Sequence, residues 1–262
     1  MKNTYRLCIN SVLSEILKMK YDWKRPFDDA KHYPLIYSVF ESSDAPNEVI
    51  SNNIFRIEDL SIERFPEAID LLKTQFLIEN AMMSSKNVLG DKISTAEIVE
   101  YWRSILDQKI SNACHKDGSN EIIGLILLNV TTESEYDFKP NGEAWSEIRR
   151  VSRFIKDIFY NPFENYGVEK IITSGGYYVN QNYQHCGIES ELVKAISDVG
   201  KLFDIRVSSE IFSSTIWQEA ASKNEYDEKF SISFKKLPKL MAEGYFPGIQ
   251  EENLKLYCKK FY

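Results

Sequence analysis

The spacing of hydrophobic residues changes most sharply between Ile171 and Leu202. The run IITSGGYYV is β-rich and a polar segment follows; Ile188, Leu192, Val193, Ile196, Val199 and Leu202 then recur at the helical interval. The pattern predicts strand, turn and helix. A turn that feeds a helix start presents unpaired backbone N–H groups and the positive end of the helix dipole, so this turn is a candidate cradle for phosphate. Within the strand, Gly175-Gly176 predicts a bulge or a close backbone approach.

The flanking segments supply an ordered set of elements. NIFRI from Asn53 reads as a strand, followed by a helix with Phe65, Ile69, Leu72 and Phe76 on one face, Ser61 as its cap and Pro66 in its first turn. Ser94-Thr95-Ala96-Glu97 has the form of a capping box, stapled by Ile93 and Ile98; the buried face is then Ile98, Tyr101 or Trp102, and Ile105. KISNACHK and EIIGLILLNV form two strands about the turn Asp117-Gly118-Ser119-Asn120. The second is apolar on both faces and belongs in the middle of a sheet, while His115 is expected as an exposed hairpin residue. Trp145, Ile148, Val151, Ile155 and Ile158 mark a longer helix ending near Asn161-Pro162. Beyond the central stretch, DIRVSSEIF is a strand with Ile205 and Val207 inward, and Ser213 and Ser214 open a helix through Ala220-Ala221. KFSISF and LKLYCKKF are closing strands, with Cys258 packed beside Leu254 and Leu256. Residues 1–52 say least: Ile9, Val12, Leu13, Ile16 and Leu17 fit one helix face, and PLIYSVF from Pro34 a short strand.

Composition narrows the class. A chain of 262 residues, 43% hydrophobic, has ample material for one large domain. The net charge of −7, with no basic block, argues against nucleic acid and an anionic membrane as partners. Cys8, Cys114, Cys186 and Cys258 are scattered without metal-ligand spacing, so no metal is expected and the thiols read as reduced. Polar residues interrupt Leu7–Leu17, and no run approaches the roughly 20 apolar residues of a membrane span. The expectation is a soluble, cytoplasmic protein.

Val179 to Val193, VNQNYQHCGIESELV, resembles the acyl-CoA signature of the GCN5-related N-acetyltransferases, a strand followed by Gln/Arg-x-x-Gly-x-Gly/Ala at a helix start. Within that superfamily it is similar to the insect arylalkylamine N-acetyltransferase-like proteins: Val179, Tyr183, Gly187, Ile188 and Leu192 match in register, and Gln184 takes the leading position. His185 stands where glycine is common, and Glu189 where the last Gly or Ala falls. The resemblance implies an α/β fold with a mixed central sheet, a splayed strand pair and helices on both faces, spanning residues 53–262 behind an N-terminal extension. It implies transfer of an acetyl group from acetyl-CoA, as cosubstrate, to a small arylalkylamine by direct attack. The cofactor-binding residues carried over are Tyr178, Val179, Gln184, His185, Cys186, Gly187, Ile188, Glu189 and Ser190, with main-chain N–H groups near Tyr178 and Val179 facing the developing oxyanion.

The catalytic positions depart from the family pattern. The segment whose glutamate serves as base aligns with Glu79-Asn80-Ala81-Met82, so the carboxylate of Glu79 lies one position early and Asn80, which takes no proton at neutral pH, fills the usual place. Ser213 and Ser214 survive from a hydroxyl-rich motif in which Ile216 and Trp217 replace hydroxyl-bearing residues. Glu189 has two readings. About 4 Å from a phosphate it costs roughly 1 to 4 kcal/mol; turned outward it is an ordinary first-turn acid. Two alternatives to the acyltransferase therefore stand: a non-catalytic protein of the same fold acting as a binding module, and a thiol-reactive protein using Cys186 beside His185.

Overall fold

A computed structural model describes residues 21–26, 33–42 and 54–262. Eight strands among them form one sheet: Ile36–Glu41 (β1), Ile54–Asp59 (β2), Asn112–Lys116 (β3), Gly124–Thr132 (β4), Lys170–Val179 (β5), Val207–Phe212 (β6), Asp227–Ser233 (β7) and Asn253–Lys260 (β8). Their order is β1-β2-β3-β4-β5-β6-β8-β7. The strand expected from Pro34 is β1, at the sheet edge beside β2; the helix face expected over Ile9 to Leu17 lies outside the described residues.

β4 is central because it is apolar at both parities. Leu125 and Leu127 enter the core on one face of the sheet; Ile126, Leu128 and Val130 enter the core on the other. The first face is covered by Phe65–Leu71 (α1), Ala81–Ser85 (α2), Lys92–Leu106 (α3) and Glu143–Ile158 (α4), and the second by Ile188–Leu202 (α5) and Thr215–Lys223 (α6). Cys258 is buried beside Leu254 and Leu256 as expected.

Neighbouring strands are antiparallel except β5 and β6, which run parallel and meet in register at one pair, Ile172 and Ser208. Past that pair they part. On the other side of β5, Gly176 faces Leu127 and Ser174 faces Leu128, so Gly175 is the extra residue of a bulge. Its carbonyl accepts the indole N–H of Trp102 at 2.9 Å. α1 runs into a π-turn, Leu72–Phe76, which brings Leu72 against Gly176 and the ring of Phe76 to 5.1 Å from that of Tyr177.

Three sequence expectations are corrected. α3 begins at Asp91, whose carboxylate accepts the N–H groups of Ile93 and Ser94, so Ser94 lies inside the helix. Glu97 is fully buried and reaches across to accept from Asn141 and Gly142 at the start of α4, because that second helix start has no side-chain cap of its own. Ser61 precedes a 3-10 turn, Ile62–Arg64, and makes no capping bond. His115 is buried rather than exposed: Nδ1 lies 2.9 Å from the Glu121 carbonyl and Nε2 3.4 Å from Glu58, and burial lowers its pKa.

A Cβ on Gly175 would fall 2.2 Å from Cδ1 of Ile105. Gly175→Ala is therefore expected to cost about 1–3 kcal/mol in urea unfolding, and Ile105→Val, which deletes that methyl, to recover part of the loss in the double variant. Strict additivity of the two changes would contradict this account of the bulge.

Candidate active site

The divergence of β5 and β6 leaves backbone groups that the parallel ladder does not pair. One of them, the Ser174 N–H, donates to Oε2 of Glu210 at 2.9 Å; the Ser174 hydroxyl donates to the same oxygen, and the Ser208 hydroxyl to Oε1 at 3.0 Å. Glu210 thus stands at the vertex of the gap with 1% of its surface exposed, and burial raises its carboxyl to about 7.

Three adjoining cavities lie between the α5 turn and the chamber beside this gap. The outer one is lined by His185, Cys186, Gly187, Glu189, Ser190 and Lys223 on the α5–α6 face. The middle one is lined by Glu79, Asn80, Tyr177, Tyr178, Val179, Gln184, Glu189, Ser214 and Trp217. The inner one, under α3 and α4, includes Tyr101, Trp145, Arg149, Gly175, Glu210 and Ser213. Outer and middle share Glu189, while middle and inner share Phe76, Asn80 and Tyr177. Cavities thus adjoin both faces of the sheet at this place.

At the outer end the turn takes the form expected of it. Gln181–Tyr183 is a 3-10 turn, and Gly187 at φ 81° is the residue before α5. His185 sits at φ 70°, the left-handed region that favours glycine, which gives a physical reason for glycine at that place in the family text. The first-turn N–H groups of α5 have no acceptor within the helix. Glu189 resolves against the outward reading: it is 5% exposed, lines two cavities, and its carboxylate accepts its own N–H. Burial raises its pKa, opposed by His185 and Lys223 nearby. A carboxylate therefore already occupies the anion-favouring end of α5. Ile188 and Cys186 are buried in the apolar core, so main-chain groups are the principal donors of the turn, and burial of the Cys186 side chain, at the wall of the outer cavity, disfavours a thiol nucleophile.

In the middle, Asn80 caps α2: its Oδ1 accepts from Met82 and Met83 N–H, and its Nδ2 donates to the Tyr177 hydroxyl at 3.1 Å. Ser213 bonds the same hydroxyl, and burial keeps the phenol protonated. Glu79 is exposed and accepts from Gln181 Nε2 at 3.0 Å. The Trp217 ring lies 4.4 Å from that of Tyr177 and narrows the passage. Because the Asn180 N–H bonds the Ile123 carbonyl, alternation gives Tyr178 to the β4 ladder and leaves the Tyr177 and Val179 main-chain groups facing the gap. Of the two expected oxyanion donors, Val179 is the one so directed. Tyr177 and Glu210 were not foreseen from sequence; the visible signal for Glu210 was a lone carboxylate within VSSEIF.

Among the described residues no three His, Cys, Asp or Glu side chains are grouped to hold a metal ion, and no helix is long and apolar enough to cross a membrane.

The splayed parallel pair, the bulge beside it and the helix that follows are the marks of the GCN5-related N-acetyltransferase fold, and this chain has that fold. Within it the chain is similar to insect arylalkylamine N-acetyltransferase structures. The putative arylalkylamine N-acetyltransferase 7 of the yellow fever mosquito superposes with a TM-score of 0.78 at 24% identity, over 94% of this chain and 100% of that one. Arylalkylamine N-acetyltransferase 2 of Aedes aegypti gives 0.66 at 17% identity, over 79% of this chain and 99% of that one. The polyamine N-acetyltransferase of Drosophila melanogaster gives 0.67 at 9% identity over the same shares, 79% and 99%. At these identities the likeness is one of fold. No protein-family model and no curated protein matches the sequence.

The raised pKa of Glu210 has a stability consequence with a definite sign. Folding favours its neutral form, so the penalty for charging it is absent below the ordinary carboxyl range, grows as pH rises from there, and is complete above about 7. Relative to wild type, Glu210→Gln is therefore expected to gain in Tm between pH 5 and pH 8. A difference independent of pH would contradict the assignment.

Proposed function

We propose that the protein transfers an acyl group, acetyl in the first instance, from a coenzyme A thioester to a small amine by direct attack. The observation that carries this reading is the set of three adjoining cavities from the α5 turn, beside the gap between β5 and β6, to the chamber under α3 and α4. The turn 184–190 offers main-chain N–H groups to a diphosphate. Val179 and Tyr177 direct main-chain N–H groups into the gap, where a thioester oxygen gains negative charge. Glu210 takes the ammonium proton: it is the buried carboxylate of the inner chamber, and its raised pKa matches a base working near neutral pH. The Tyr177 hydroxyl, held by Asn80, returns a proton to the leaving thiolate. In this assignment Asn80 orients Tyr177, and Glu79, Ser213 and Ser214 support the walls.

A second reading is favoured by Glu189 and Trp217. A carboxylate in the phosphate turn and an indole over Tyr177 are what a binding module that has lost transfer would retain. Calorimetric titration with acetyl-CoA separates the two. Wild type is expected to bind, more tightly as pH falls toward the raised pKa of Glu189, and Glu189→Ala to bind about ten- to thousandfold more tightly at pH 8, with the pH dependence removed. Binding by the variant alone would favour the non-catalytic reading, and binding by neither would sink the assignment of the turn.

A further inference from the structure

The inner chamber contains a cation that its surroundings do not neutralise. On α4, Arg150 pairs with Glu243 at 2.6 Å and Lys156 with Asp137 at 2.8 Å. Arg149 lines the chamber and, among the described residues, has no carboxylate partner. It donates to the Tyr136 carbonyl, lies 5.3 Å over the Tyr136 ring, and buries its Nε–H with no acceptor. Arg153, one turn along, donates to the Asp137 carbonyl at 3.4 Å. A partly buried guanidinium with an unbonded donor costs free energy that a bound anion would recover.

The other charge of the chamber lies across from it. Glu210 belongs to the sheet and Arg149 to the helix layer; the two line one cavity without pairing. Tyr101 and Trp145, rings 5.3 Å apart, line the same chamber and suit an aromatic or flat apolar body.

We propose that the amine accepted here is an arylalkylamine carrying a carboxylate at its far end, with that carboxylate bidentate on Arg149 and the amine at the gap. Arg149 is then the specificity determinant, because a guanidinium fork matches carboxylate geometry as an ammonium does not. This substrate class rests on the acyl-transfer reading, but its test does not.

The matched probes are 4-(2-aminoethyl)benzoate, its neutral carboxamide, and 2-phenylethylamine, titrated calorimetrically without any thioester and then assayed with acetyl-CoA. Wild type is expected to bind the benzoate at least about tenfold more tightly than either probe that lacks the carboxylate. Arg149→Met is expected to bring the three together, and Arg149→Lys to keep part of the preference; melting curves check that each variant is folded. If Arg149→Met does not fold, the wild-type ratio of benzoate to carboxamide and its reduction in Arg149→Lys decide the matter. Equal binding of the three probes by wild type, or a preference that persists in the folded Arg149→Met protein, overturns the proposal. Transfer to all three at equal kcat/KM would overturn it and leave acyl transfer standing; Arg149-dependent binding without any transfer would do the reverse.

Discussion

One hydrogen bond sets the geometry on which the site depends: the Ser174 N–H, which leaves the ladder where β5 and β6 part, donates to the carboxylate of Glu210. A buried amide must be paired, and pairing it with a side chain rather than with β6 lets the two strands diverge after a single register pair. The bulge at Gly175 does the complementary work on the β4 side, where it shifts the alternation so that Tyr177 and Val179 address the gap. The gap, its acid and its phenol therefore follow from one local failure of regular pairing. The π-turn of α1 and the indole of Trp102 press on the same two glycines and hold the distortion in place.

The functional departures lie along the path that this gap opens. Glu189 puts a carboxylate where the helix dipole favours an anion, and under the proposed reading a phosphate competes with it there. Asn80 is committed to a helix cap and to Tyr177, which removes the expected base but fixes the phenol. Under the proposed reading Glu210, on the neighbouring strand, takes the role of the base. Each change is local and leaves the fold intact, since Ile188 and Leu192 still pack under β4.

Much of this fold was legible in the sequence because periodicity reports which face of an element is buried. The strand, turn and helix at 171–202 and the central position of β4 followed from spacing, and the pair Gly175-Gly176 pointed to a bulge or a close backbone approach. What escaped depended on partners distant in sequence. Ser94 with Glu97 imitates a capping box, yet Glu97 serves the start of α4, more than forty positions away. The resemblance put Tyr178 at the gap, whereas the register after the bulge directs Tyr177 there. Whether Glu189 turned inward depended on α6 and Lys223, and Glu210 acquired its meaning only when Ser174 was beside it. His115 seemed exposed because a hairpin end usually is; Glu58 on the neighbouring strand covers it.

The central claim is that one ligand engages both the turn before α5 and the gap beside β5. Amide hydrogen exchange with and without acetyl-CoA tests it most directly. The account predicts slower exchange in two separate segments, 184–190 and 176–179, on addition of the ligand. Unchanged exchange in both, or protection confined to surfaces away from them, would contradict it.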